Sequence, residues 1–448
     1  MKALTVFNEL NALFRLDKDP SQGFAPRIAQ RSSRSEDDGH FPLNEVGALL
    51  ERTWWGRIWV VQELAFANDI SFVCGYDAIP GKCIQSFLKV WDSMNRGFVP
   101  RMMDHRPWAL FEVRDSVQTG SPLSIKDILQ IASKAQLEAS DPRDHIFALL
   151  GLMKEGEQLK GLVDYDKLQE SYIDVYVEVA KTLLDENDLW IFSFCHFLGS
   201  PTPSLPSWVP DWSRQSGQIP LLQTGGAAIT GKRSPFCAWN GAQPSATFID
   251  QIPPRLAVSG IEVDTVARVG SLRPAALFND LNGQTRSRIL VWLQSFRDLV
   301  PEDCILGSKY REEALWRTPI ADQWRDVGST WIRPEPWIRE VYNHLVNLNS
   351  QQLSSEDYTV QYFEYVTTAT NRRIPFSTKK GYLGLGSEFV LPGDLVILFG
   401  SDVPVVLRQT GDMLYTLIGE AYVTGIMYGE IVKEMRGHPR RSETFELV

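Results

Sequence analysis

The stretch Arg52-Thr53-Trp54-Trp55-Gly56-Arg57-Ile58-Trp59-Val60-Val61-Gln62-Glu63-Leu64 carries three tryptophans, two arginines and one carboxylate within a dozen residues. Read as a helix, it sets Trp55 and Trp59 four apart and Trp59 and Glu63 four apart, which places Glu63 on or beside an aromatic face. Two readings follow. In the first, Trp54, Trp55 and Trp59 anchor a core helix and Glu63 pairs with a basic neighbour. In the second, the carboxylate is held at a shifted pKa for chemistry.

Outward from this stretch the chain alternates helical and extended patterns. Residues 42–50 continue the helical signal upstream, after a polar loop at 17–40 that is rich in serine, arginine and acids. Residues 69–75 alternate, with Ile70, Phe72 and Cys74 on one face of a short strand, and residues 81–95 are helical again. Ile125, Ile128, Leu129 and Ala132 make 124–133 amphipathic. Asp141-Pro142 predicts a helix start, since Asp141 can accept from orphan N–H groups and Pro142 loses no bond there. Gly151 predicts its stop. Residues 171–184 carry one apolar stripe from Tyr172 to Leu183.

Residues 205–213 form an aromatic, proline-bound crossing, followed by an irregular Gly- and Ser-rich connection. Residues 255–267 predict a strand broken near Gly260, then helices at 285–299 and 337–348. From 373 onward short strands (395–399, 403–407, 414–417 and 421–426) alternate with Gly, Asp and Pro turns, which suggests a small β-barrel or a curled antiparallel sheet.

Composition narrows the function classes. The 448 residues are 44% apolar and 22% charged, ordinary values for a globular chain long enough for two or three domains. The net charge of -10 disfavours nucleic acid, whose recognition needs concentrated positive charge, and the one basic run, 433–441, reads as a solvated tail. Five dispersed cysteines give no disulfide framework. No leader or spanning segment is read, so the expectation is a cytoplasmic protein with protein partners and no membrane. Gly381-x-x-Gly384-x-Gly386 lacks the strand-to-helix context of a phosphate loop and reads as turns. Cys195-His196 has no ligand partner at metal spacing, so no metal is expected, and no hydrolase elbow or Walker loop is present.

The Trp-rich stretch resembles a signature block of the fungal heterokaryon-incompatibility (HET) family, R-x-W-[FW]-x-R-x-W-V-V-Q-E. Asp141-Pro142-Arg143-Asp144-His145-Ile146-Phe147-Ala148-Leu149-Leu150-Gly151-Leu152 is similar to a second block. The tail from 376 to 430, with Gly381-Tyr382-Leu383-Gly384-Leu385-Gly386, Pro392-Gly393-Asp394 and Ile418-Gly419-Glu420-Ala421-Tyr422-Val423, is similar to a third. The family's A-L-S-Y-x-W-G strand and W-I-D-A-x-C-I-N-Q block are not found. The chain therefore reads as a HET protein lacking the N-terminal part of its signature domain, whether by a short gene model or as a truncated paralogue.

That resemblance implies a mixed α+β fold: a partial α/β (TIR-like) remnant at 1–95, a helical continuation at 96–204, a mixed connection at 205–370 and a C-terminal β module at 371–448. It implies Trp55, Arg57, Trp59, Asp141, Arg143 and Asp144 as structural signature residues. Read from the residues themselves, Arg143 and Asp144 are either a functional pair or, the favoured reading, a clamp that joins the second block to the Trp-rich helix through Glu63. It implies a role in non-self recognition linked to cell death, non-catalytic as given and acting through protein partners or self-association. The alternative it implies is TIR-like: Trp59-Val60-Val61-Gln62-Glu63 matches a W-x-x-x-E helix, making Glu63 the carboxylate of an NAD-cleaving glycohydrolase. NAD would then be substrate, and no cofactor is expected. Breaking an N-glycosidic bond develops positive charge on the ribose, which a carboxylate stabilises.

Overall fold

A computed structural model describes residues 43–94, 106–121, 123–152, 171–185, 189–214, 218, 220–221, 236–239, 245–249, 251–274, 283–300, 304–325, 331–347, 357–435 and 442–448. The expected loop at 17–40, most of the connection after 213 and most of the basic tail lie outside them. The chain divides into two compact units, 1–163 and 164–448. Four regions were expected.

The first unit is mainly helical. Its described part runs α1 (Leu43–Leu50), a 3-10 turn (Thr53–Gly56), α2 (Val60–Phe66), a hairpin of β1 (Ser71–Cys74) and β2 (Asp77–Pro80), α3 (Gly81–Met94), α4 (Arg106–Gln118), α5 (Ile125–Ala135) and α6 (Asp144–Leu150). Phe72 and Cys74 take the more buried face of β1, as the alternation predicts. Helix α5 begins in a full capping box: Ser124 Oγ accepts from the Asp127 N–H, and Asp127 accepts from the Ser124 N–H. A partial α/β, TIR-like remnant is not recognisable here, since the only described strands of this unit are the two of one short hairpin.

The continuous Trp-rich helix is not formed. Trp55 lies in the 3-10 turn, Arg57 is extended, and Trp59 stands at the N-terminus of α2. A neighbouring segment takes up the backbone at the break. Ile58 N–H donates to Glu138 O (3.0 Å) and Glu138 N–H to Gly56 O (2.6 Å), a short parallel bridge that competes with helical bonding. Trp55 and Trp59 therefore do not share one helix face.

The second unit places helices against a large curled sheet. It contains α7 (Tyr172–Asp185), β3 (Ala246–Ile249), β4 (Arg255–Val269), α8 (Gly283–Gln294), α9 (Phe296–Leu299), α10 (Ser308–Arg317), the small pair β5 (Trp324–Arg325) and β6 (Trp331–Ile332), α11 (Ile338–Asn347) and α12 (Asp357–Ala369). Then come β7 (Arg373–Thr378), β8 (Leu383–Ser387), β9 (Leu395–Leu398), β10 (Val405–Gly411), β11 (Leu414–Val423), α13 (Glu430–Met435) and β12 (Glu443–Leu447). The spine is β4, one continuous strand of 15 residues rather than two. It pairs antiparallel with β3 and β12 through its first half, with β9 beyond Gly260, and with β7 at its end. From β9 the pairing passes to β10, β11, β8 and β7, which returns to β4. All these pairs are antiparallel except the two-residue contact of β11 with β12. The sheet thus draws two strands from residues 246–269 and is not confined to 371–448.

Both faces of this sheet are covered, so β7 and β8 are buried at every position. Leu383 and Leu385 join a core with Trp292, Trp316 and Tyr362 of the helical layer. The alternate residues Gly384 and Gly386 face Phe376, in a second core with Ile261, Val396 and Ile418. A Cβ on Gly384 would stand 2.6 Å from the Phe376 ring. These two glycines are strand residues under an aromatic ring, while Gly381, at φ 93°, makes the turn.

Candidate functional site

In the first unit the two signature-like stretches come together. Trp55 is buried, donates its indole N–H to Leu49 O (3.1 Å) and packs on Phe72 and Phe111 at 5.2 and 6.3 Å between rings. Trp54 meets Trp55 and Phe72 edge-on. Trp59, half-buried, donates to Asp144 Oδ2 at 3.0 Å, and Gln62 Nε2 donates to Ala148 O at 2.9 Å. The space over Gly151 is filled by the Gln62 amide, so a side chain there would displace it. Helix α2 is thus laid along α6 by one charge-assisted bond and one amide bond.

Asp141 stands just before α6, whose first turn is preceded by Asp144 N–H to Asp141 O and His145 N–H to Pro142 O bonds. The helix begins at Asp144 rather than at Pro142, and the Asp141 carboxylate accepts a backbone N–H as expected, while also pairing with the Arg143 side chain. It accepts from the Arg143 N–H (2.9 Å), Nε (3.1 Å) and Nη2 (2.7 Å). This side-chain pairing, ahead of the desolvation that opposes it, holds the Asp141 carboxyl below its usual range. No Arg143–Glu63 pair occurs among the described contacts; the two stretches are joined by Trp59 to Asp144, and Arg143 pairs with Asp141. Arg57 is exposed, and its contribution is the backbone bridge to Glu138.

Glu63 lies in α2, its N–H bonded to Trp59 O. It is exposed, and among the described residues its carboxylate has no ion-pair partner. Chemically it can offer negative charge to a cation approaching from solvent. The residue the sequence reading missed is Arg114, on α4. Its guanidinium donates to Leu64 O (2.6 Å), Ala67 O (2.5 Å) and Asn68 O (3.2 Å), closing the C-terminus of α2, and Gln118 adds a bond to Ala65 O. Nothing in the local pattern of α4 points to a helix 47 to 50 residues upstream.

In the second unit the tail residue Glu420 proves to be a buried ion. Its Oε1 accepts from Arg373 Nη2 at 2.6 Å and from the Leu221 N–H, and both charged side chains are fully buried. Burial raises the Glu420 carboxyl and lowers the Arg373 guanidinium, each against the pull of its partner. Cys195-His196 lies in the same unit. Cys195 is buried against Ile191 O, and His196 Nδ1 is sealed from solvent with no hydrogen-bond partner among the described residues. Burial first, then the Arg373 charge, lowers the imidazole to about 3. No group of three metal-ligand side chains occurs among the described residues. A groove of about 510 Å³ runs between α7 and the turn before β4, lined by Asp174, Glu178, Lys181 and Ile252 among others. No described helix is long and apolar enough to cross a membrane.

Residues 340–445, which include α12 and most of the sheet, match the Het-6 beta-barrel domain family. The chain is 23% identical over 460 aligned residues to heterokaryon incompatibility protein 6, OR allele, of Neurospora crassa, covering 85% of this chain. It spans 65% of that relative's length. No solved structure matches it. The tail match falls on the sheet built around β11, and the long alignment takes in most of the helical part as well. Together the two matches support a protein of the heterokaryon-incompatibility family.

Proposed function

We propose that the chain acts in fungal heterokaryon incompatibility, as a cytoplasmic protein of non-self recognition whose engagement leads to cell death. The observation that carries this reading is the alignment to a heterokaryon incompatibility protein across 85% of the chain. Under it, the sheet of the second unit is a β-barrel module of the Het-6 type, and the α2–α6 junction is structural, which the internal bonds of Trp59 and Gln62 support. The test is genetic. The gene is expressed in one nuclear background of a filamentous fungus and that strain is fused with one lacking it. Vital-dye uptake and arrested growth in fused cells are expected, and healthy heterokaryons would remove the role.

A second reading rests on Glu63. An exposed carboxylate with no ion-pair partner among the described residues, four residues after a tryptophan, fits a TIR-like glycohydrolase that cleaves NAD. Purified protein and Glu63→Gln are incubated with NAD and released nicotinamide is measured. Equal release from both ends this reading and leaves the non-catalytic one.

A further inference from the structure

On the second unit, the chain from Gly199 to Arg214 folds back on itself as a small polar clasp. It opens with Gly199-Ser200-Pro201-Thr202-Pro203-Ser204, a turn set between two left-handed residues, Gly199 at φ 86° and Ser204 at φ 65°. The Leu205 N–H closes it on Thr202 O at 3.1 Å. Ser200, Pro201, Pro203 and Ser204 are exposed, and Thr202 is half-buried. A proline biases the residue before it toward extended backbone. The turn thus presents two hydroxyl residues, Ser200 and Thr202, each directly followed by proline.

Arg214 holds this turn from the other end of the clasp. Its Nη1 donates to Ser200 O at 3.1 Å and to Thr202 Oγ1 at 3.2 Å. Both acceptors are neutral, and the exposed guanidinium has no carboxylate partner among the described residues. The acid of the clasp, Asp211, is engaged elsewhere: it accepts from the hydroxyls of Thr202 and Ser213, both at 2.5 Å, and from the Ser213 N–H at 3.1 Å. A cation is therefore fixed at the surface with its capacity for an anion unused.

The two hydroxyls of the turn are not equivalent. Thr202 Oγ1 donates to Asp211 and accepts from Arg214, so a phosphate there would break both bonds and stand against the Asp211 carboxylate. Ser200 Oγ has no partner among the described residues and hangs from the same Cα as the carbonyl that Arg214 already holds. A phosphate on it comes within reach of that guanidinium. Two further described hydroxyl residues precede proline. Thr318 is fully buried, and Ser121 is bonded to Ser116 O and Thr119 Oγ1, with no basic side chain bonded to it among the described residues.

We propose that Ser200 is a phosphorylation site for a kinase that takes serine followed by proline, and that Arg214 receives the phosphate. The transfer forms a bond from Ser200 Oγ to the γ-phosphorus of a nucleoside triphosphate and breaks the bond from that phosphorus to its bridging oxygen. The hydroxyl proton passes to the kinase's base, and the nucleoside diphosphate leaves. The resulting charge-assisted pair fastens the turn to the 211–214 segment. Ser204, at the end of the same turn, lines the groove along α7, so the modification stiffens one rim of that groove. None of these contacts depends on a role in incompatibility.

The full chain, Ser200→Ala and Arg214→Gln are each incubated with a proline-directed kinase and ATP, and modified residues are mapped by mass spectrometry. Phosphate should appear on Ser200 at roughly ten times its level on Thr202 or more, and Ser200→Ala should not divert it to Thr202. The second ionisation of the Ser200 phosphate is then followed by phosphorus NMR, with Ser200→Ala treated alike to identify signals from other sites. It should lie about half a unit lower in wild type than in Arg214→Gln, because the guanidinium favours the dianion. Arg214→Lys should keep part of that difference, and melting temperatures confirm that each unmodified variant is folded. An unmodified Ser200, preferential modification of Thr202, or the same ionisation in wild type and Arg214→Gln overturns the proposal.

Discussion

Arg373 on β7 and Glu420 on β11 form a fully buried ion pair, 2.6 Å between Nη2 and Oε1, in a sheet covered on both faces. Arg373 also donates to Ala369 O, and Glu420 also accepts from Leu221 N–H, so the pair ties the end of α12 and a distant segment to the sheet. Removing one partner leaves a buried charge without compensation. Glu420→Gln or Arg373→Met should each destabilise the fold by about 3–5 kcal/mol. The double variant Arg373→Met with Glu420→Leu should recover a large share of that loss. Urea unfolding midpoints decide it, and additive losses would show that the pair is not coupled.

His196 gives a pH prediction. Its folded pKa, about 3, lies below the ordinary 6.5 because burial and the Arg373 charge disfavour the imidazolium. Between these values the unfolded chain binds the extra proton, so the His196 contribution is complete above about pH 6.5 and is lost as pH falls toward 3. Wild type should lose stability faster than His196→Gln on acidification, by up to about 1.4 kcal/mol per pH unit. Glu420 and Asp322, both raised by burial, act with the opposite sign in both proteins, so they cancel in the comparison. Parallel stability curves for the two proteins would exclude a buried neutral ring.

The junction of α2 and α6 depends on Trp59 and Asp144 as a couple. Trp59→Phe keeps an aromatic ring and removes the indole donor, and Asp144→Ala removes the acceptor. A double-mutant cycle on these two should return a coupling of about 1–2 kcal/mol. A coupling near zero would mean that the Trp59–Asp144 bond does not contribute to joining the helices.

Gly260 sits under Phe399, where a Cβ would lie 2.5 Å from the ring and 2.9 Å from Leu398 O. Because a backbone atom as well as the ring is in the way, Gly260→Ala should cost about 1–3 kcal/mol, seen as a lowered thermal midpoint. Pairing it with Phe399→Leu should restore part of that loss.

Glu63→Gln should leave stability within about 0.5 kcal/mol of wild type, since the side chain is exposed and makes no ion pair among the described residues. Any loss of NAD cleavage in that variant would then be chemical in origin. A lowered unfolding midpoint would instead give Glu63 a structural role.

Local sequence determined the elements whose causes are local. The stripe from Tyr172 to Leu183 made α7, Ser124 with Asp127 started α5, the alternation around Phe72 gave β1, and Gly151 closed α6. The bridge of Glu138 to Gly56 and Ile58 broke the Trp-rich helix, and that contact spans some eighty residues, beyond any window of periodicity. The continuity of β4 through Gly260 was decided by Phe399, which occupies the room a side chain would need. Arg373 and Glu420 look like surface charges in the sequence, and Glu63 looks like a packed one. Their burial depends on what folds over them, and only the tertiary arrangement supplies that.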